Sequence, residues 1–168
     1  MVKDLRTPGP APRPLPTGLD DIDLRLLELL AADGRMTNAA LADAVGIAPS
    51  TCLARVRALR DRGAIRGIHA DVDLSQLGRP LQAMVSVRLA AHTREQVDAF
   101  RSAAPAMPGV LAVFHVTGSI DYLLHVAAAD SDALRNFVLD HLVSRPEVAH
   151  AETSLIFEYV RGAAALAG

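Results

Sequence analysis

Between Arg55 and Arg66 the chain sets five arginines (Arg55, Arg57, Arg60, Arg62, Arg66) against one acid, Asp61. This gives a local charge of +4 in a chain of formal net charge -2. Guanidinium groups at that density grip phosphate, and one placed against a base edge can pair bidentately with guanine. The overall charge argues against indiscriminate nucleic-acid binding, so the distribution matters more than the total. Just upstream stand Ser50 and Thr51, short hydroxyls that let a helix backbone approach bases. A second stretch with chemical potential is Thr117-Gly118-Ser119-Ile120-Asp121-Tyr122. Glycine lets backbone amides face an anion such as a carboxylate, and Asp121 can accept hydrogen bonds from an ammonium group. An amino acid carries both charges on neighbouring atoms. Thr153 and Ser154 are further polar candidates, but strand neighbours point to opposite faces, so only one can reach a given site. On the residues alone, a solvated basic helix and an ordinary tight hairpin remain the alternatives.

The elements that must hold these residues follow from periodicity. Leu19, Ile22, Leu26, Leu29 and Leu30 recur at helical spacing, with Asp20 as cap and Gly34 as stop. A second helix runs from the cap Thr37 to Gly46, and a third from Pro49 to Gly63. On the third, Cys52, Val56 and Leu59 form one face, flanked by Leu53. Ser50, Thr51, Ala54, Arg57, Ala58 and Asp61 point the other way, with Arg55 and Arg62 on the flank. Two short helices joined around Gly46 fit a helix-turn-helix. AIRGIHADVDL then alternates like a strand or wing, which makes residues 19–73 a winged helix-turn-helix domain. Residues 74–80 read as a linker. Beyond them, strand (81–90), helix (92–104), strand (109–116), turn (117–120), strand (121–129), helix (130–144) and strand (151–160) give βαββαβ, a ferredoxin-like domain over 81–161. The fold class is therefore α+β.

A two-residue turn at Gly118-Ser119 places His115 opposite Tyr122 and Val116 opposite Asp121. Leu111, Val113, His115, Tyr122, Leu124 and Val126 then share one face, and Val110, Ala112, Phe114, Leu123, His125 and Ala127 the other. Both faces are mainly apolar, while helices in this fold cover one. A second copy of the same sheet is the simplest cover for the other, so a homodimer is expected.

Composition narrows the class. Half of the 168 residues are apolar, and no apolar run reaches the roughly 18 residues of a membrane span. Cys52 is alone, so no intrachain disulfide forms, and its place on the inner helix face reads as a small buried hydrophobe. A cytoplasmic protein without cofactor or metal is expected. No GxSxG, P-loop, HExxH or paired cysteines suggest an enzyme. His115 and His125 fall on opposite faces, and His69, His92, His141 and His150 lack ligand-like spacing. A DNA-packaging protein without sequence preference is the remaining rival. Pro8, Pro10, Pro12, Pro14 and Pro16 mark residues 1–18 as a disordered extension, and 162–168 as a short tail.

LDDID, DGRMTNAALADAVGI, RVRALRDRGAIRG and VTGSIDYLL stand in an order that resembles the Lrp/AsnC, or feast/famine, regulators over about residues 19–161. The resemblance implies a sequence-specific transcription regulator. DNA contacts would come from Ser50, Thr51, Arg55, Arg57, Arg62 and Arg66. It implies C-terminal domains that pair, dimers that assemble further into tetramers to octamers, and an amino acid or similar effector bound near the Gly118–Tyr122 turn between subunits. Gly118, Ser119, Asp121, Tyr122, Thr153 and Ser154 are its candidate contacts. One departure is Ala48, where the family often has serine. Alanine cannot cap the recognition helix through its side chain, and Ser50 is the nearest substitute.

Overall fold

The computed structural model describes residues 18–160. The expected proline-rich extension as far as Thr17 and the tail 162–168 lie outside the described residues. The chain forms two compact units, one up to Ala70 and one from Asp71 on.

The first unit holds three helices: α1 (Asp21–Ala32), α2 (Asn38–Val45) and α3 (Pro49–Asp61). Each starts where local chemistry permits. Asp20 and Asp23 cap α1 reciprocally: the Asp20 carboxylate accepts the Asp23 N–H at 2.8 Å, and that of Asp23 accepts the Asp20 N–H at 3.4 Å. Thr37 caps α2 by accepting the Ala40 N–H at 3.2 Å. Gly46, with φ of 71°, ends it in a left-handed conformation that other residues rarely adopt. Pro49 opens α3, and Ala48 supplies no side-chain cap; Ser50 does not replace it. Leu26, Leu41, Ala42, Cys52, Val56 and Leu59 bury their side chains together where the helices meet. Leu53, which flanks this face, is 41% exposed. Residues 66–73 are not in a strand. The expected wing has no ladder partner among the described residues, and an unpaired extended segment is not a sheet.

The second unit is a four-stranded antiparallel sheet in the order β2-β3-β1-β4, formed by β1 (Leu81–Leu89), β2 (Val110–His115), β3 (Tyr122–Ala128) and β4 (Val148–Leu155). This is the ferredoxin-like arrangement. α4 (Arg94–Ala103) and α5 (Ser131–Val138) are capped by Thr93 and Asp130, and α5 runs on through a π-helical turn, Leu139–Val143. Phe100, Leu134, Phe137 and Leu142 from these helical segments pack on Ala83, Val85, Val87, Tyr122, Leu124 and Val126 of the sheet. The opposite face carries Met84, Phe114, Leu123 and His125, whose neighbours along each strand face the helices.

The hairpin register agrees with expectation: His115 pairs with Tyr122 and Phe114 with Leu123. One detail differs. The ladder shifts between Val110 and Ala112, so Val110 turns to the helix-covered core and Leu111, placed there by strict alternation, is 42% exposed. The last strand also starts earlier and ends sooner than expected, because β1, its partner, spans only Leu81–Leu89 and pairs it from Val148 to Leu155.

Gly109 precedes the bulge with φ of 84°, and a Cβ there would lie 2.6 Å from the Ala127 carbonyl oxygen. Gly109→Ala should therefore cost about 1–3 kcal/mol of stability, read by urea denaturation. A midpoint equal to wild type would mean the strand end relaxes freely.

Candidate nucleic-acid interface and effector turn

The axes of α2 and α3 turn through 101°, within the range of about 90–120° of a DNA-reading helix pair. The inner face of α3 is fixed by Cys52, Val56 and Leu59, and burial pushes the Cys52 thiol pKa up. Ser50, Thr51, Ala54, Arg57, Ala58 and Asp61 are consequently exposed together. Arg57, Arg60 and Arg66 have no ion pair among the described residues, so their charges face solvent. Arg60 shares a small groove with Arg66. It belongs to the same basic run as the expected contacts, although it is not one of them.

Arg55 behaves differently from the expectation. One of its guanidinium nitrogens, Nη1, donates to Asp20 at 2.6 Å and to Asp23 at 2.9 Å. Its charge is neutralised within the unit, where it ties α3 to the first turn of α1. The Asp20 carboxyl is held below its usual pKa, first by the Asp23 N–H and next by Arg55. Arg55 therefore has a structural role in the unit, beside the DNA contact expected of it. Arg62 donates to the Gly18 carbonyl at 3.2 Å. On the other side, the Asn38 amide donates to the Pro49 carbonyl at 2.8 Å and fixes the entry of α3.

In the second unit the turn is anchored by Asp121. Its backbone N–H donates to the Val87 carbonyl and its own carbonyl accepts from Val116, both at 2.9 Å. Its carboxylate accepts the Leu89 N–H at 2.8 Å and meets His92 Nε2 at 2.7 Å. Burial alone would raise the Asp121 pKa. The Leu89 and His92 hydrogen bonds, with the charges of His92 and His115, outweigh this and hold it below 3.8. His92 was not foreseen, since nothing in its local sequence points 29 residues ahead. Gly118 has φ of 123° and, like Ser119, is exposed. Among the described residues neither of their N–H groups has a partner.

Tyr122 lies beneath the turn rather than in it. It is fully buried, donates its hydroxyl to the Val97 carbonyl at 3.3 Å, and sits 4.8 Å from Phe100 and 4.6 Å from His115 between ring centres. Within one chain it supports the turn from the core. Thr153 pairs with Val85 on the helix-covered side and borders a small cavity with Leu134 and Val138; Ser154, opposite Met84, faces the other way. Both are on β4, which β1 separates from the hairpin strands. The structure thus gathers Gly118, Ser119 and Asp121 but does not bring Thr153 or Ser154 to them within one chain. Among the described residues no cluster of three His, Cys, Asp or Glu could hold a metal ion, and no single helix is long and apolar enough to cross a membrane.

A basic helix-turn-helix unit followed by this sheet domain has close counterparts. The winged helix-turn-helix DNA-binding family matches residues 19–66, and the Lrp/AsnC ligand binding domain matches residues 82–164. The HTH-type transcriptional regulator AldR of Mycobacterium tuberculosis is 49% identical over 149 residues, covering 89% of this chain and 83% of its own. AldR of Mycolicibacterium smegmatis is 44% identical over 165 residues, covering 98% and 96%. The crystal structure of MtbAldR superposes with a TM-score of 0.76 at 44% identity, covering 88% of this chain and 98% of that one. A Neisseria meningitidis transcriptional regulator in complex with L-Met gives 0.79 at 33% identity, covering 86% and 93%. Fold and site define a DNA-binding transcription regulator with a ligand-binding domain. The chain belongs to the Lrp/AsnC family.

Two measurements check the roles assigned here. Arg55→Ala should lower the melting temperature of the chain by a few degrees, whereas Arg57→Ala should leave it unchanged. Equal effects would deny Arg55 its clamping role. Asp121, with its pKa depressed in the folded state, stabilises fully above about pH 4, and that contribution is lost as pH falls through the folded value. Asp121→Asn should cost about 1–3 kcal/mol at neutral pH, with the gap to wild type narrowing in acid. A gap that stays constant down to pH 2 would exclude the carboxylate as its source.

Proposed function

We propose that this regulator reads DNA through Ser50, Thr51 and Arg57, with Arg62 and Arg66 on phosphate, and that its effector is an amino acid or related small metabolite bound at the Gly118–Asp121 turn. The observation that carries the effector reading is the pair of unpartnered amides at Gly118 and Ser119 beside an ionised, partly buried carboxylate. The amides suit a ligand carboxylate. Asp121 uses one lone pair on each oxygen internally and keeps others for an ammonium. The Neisseria meningitidis relative bound to L-Met supports this ligand class. Self-association supplies the rest of the site. The sheet face bearing Phe114, Leu123 and Met84 is uncovered in one chain, and a second copy is its natural cover. Dimers would then build further assemblies. The chain works in the cytoplasm and by binding alone, without catalysis.

The effector test is operator titration with and without L-methionine, following a thermal-shift screen of the twenty amino acids. Asp121→Asn should leave ligand-free affinity within a few-fold and abolish most of the ligand response. A wild-type response would place the effector elsewhere. Arg57→Ala should weaken operator binding by about 1–3 kcal/mol and relax preference at one base position. Equal losses on operator and random DNA would instead make it a phosphate contact, and a wild type with no sequence preference would favour a packaging protein. Phe114→Glu should convert dimers to monomers in sedimentation; a dimeric variant would move the interface off this face.

A further inference from the structure

An open cavity of about 370 Å³ lies at the end of the sheet remote from the Gly118 turn, between the segment leading into β1 and one flank of α5. Its volume falls within the range of small-molecule sites, about 300–1,000 Å³. Ala133, Asn136, Phe137, Asp140 and His141 recur at helical spacing, so one stripe of α5 and its π-helical continuation forms a wall. Arg79 contributes from the opposite side. Ala133 and Phe137 make that wall apolar toward its start, with Asn136 between them, and Asp140 and His141 make it polar toward its end.

The charges here are set apart from those nearby. Asp130 is used in capping α5, Asp132 pairs with Arg135 at 3.4 Å, and Glu147 pairs with Arg145 at 2.8 Å. Among the described residues, the Arg79 guanidinium and the Asp140 carboxylate, both exposed, have no protein partner, although both border one open cavity. Opposite charges that share a cavity without meeting are matched by a molecule carrying both. π-helical turns occur often at functional sites, because they re-aim side chains at the cost of regular hydrogen bonding. This one delivers Asp140 and His141 to the wall.

We propose that this cavity is a second ligand site, for a small zwitterion with a short apolar side chain. Arg79 takes the ligand carboxylate, Asp140 its ammonium, and Ala133 and Phe137 its side chain. The site is independent of the turn proposed for the effector.

The test is isothermal titration of the full chain with L-valine, 3-methylbutanoate and isobutylamine, for wild type, Arg79→Gln, Asp140→Asn and Asp121→Asn. Wild type should bind valine, and the two single-charge analogues should bind about tenfold more weakly or worse. Arg79→Gln and Asp140→Asn, both surface changes, should each weaken valine binding by about tenfold or more, while Asp121→Asn keeps this uptake. No valine binding by wild type, or wild-type affinity and stoichiometry in both cavity variants, overturns the proposal. Failure of the turn reading has a separate signature: Asp121→Asn keeps a normal DNA response to effector, whatever the cavity variants do.

Discussion

A four-stranded antiparallel sheet with both α-helices on one side leaves its other side to be satisfied from outside. Every residue on β1 and β3 has its orientation set by that division. Ala83, Val85 and Val87 alternate with Gln82, Met84 and Ser86, and Tyr122, Leu124 and Val126 with Leu123, His125 and Ala127. Slipping the pairing by one residue would exchange the two sets and expose the core, so burial specifies the register strongly. The hairpin turn inherits its position from this register, and Asp121 then fastens it to the end of β1 through Leu89 and His92. The turn amides are held where they are because strand pairing and one carboxylate agree.

The DNA-reading unit follows another logic, in which like residues take unlike roles. Five arginines crowd the same stretch, yet Arg55 faces two acids of α1 and Arg57 faces solvent. One turned inward keeps the third helix on the first, and one turned outward remains available to an anion. The α3 start, with Ala48 supplying no acceptor, is eased by Pro49, which has no N–H to satisfy, and is tied to α2 by the Asn38 amide donating to the Pro49 carbonyl.

Much of this was legible in the sequence, for reasons that are local. The caps Asp20 and Thr37, the stop at Gly46 and the apolar spacing of Leu26, Cys52, Val56 and Leu59 lie within a few residues of what they control. Gly118 gave the correct pairing of His115 with Tyr122. What escaped depends on distant partners. Arg55 meets acids 32 and 35 residues away. The bulge after Gly109 arises from close approach to Ala127 across the ladder. Apolar alternation around residues 64–73 looks like a strand, but alternation supplies no hydrogen-bond partner. For the turn, local glycine and aspartate marked residues that the fold gathers, whereas the place of Tyr122 in the core depends on α4 lying over it.

The position of β4 has a consequence for how copies of this chain can grow. β2 and β4 are the two rims of the sheet, and each offers unpaired backbone groups to a passing strand. Union through a rim repeats without end, because each addition presents a new rim, whereas union through a flat face under two-fold symmetry closes after one step. The outer strand β4 carries His150, Glu152 and Ser154 on the face opposite the helices, beside Arg88, Ser86 and Met84 of β1 and at the rim away from Phe114. Polar and charged side chains along the β4 rim disfavour addition there and so favour a finite particle over a fibre.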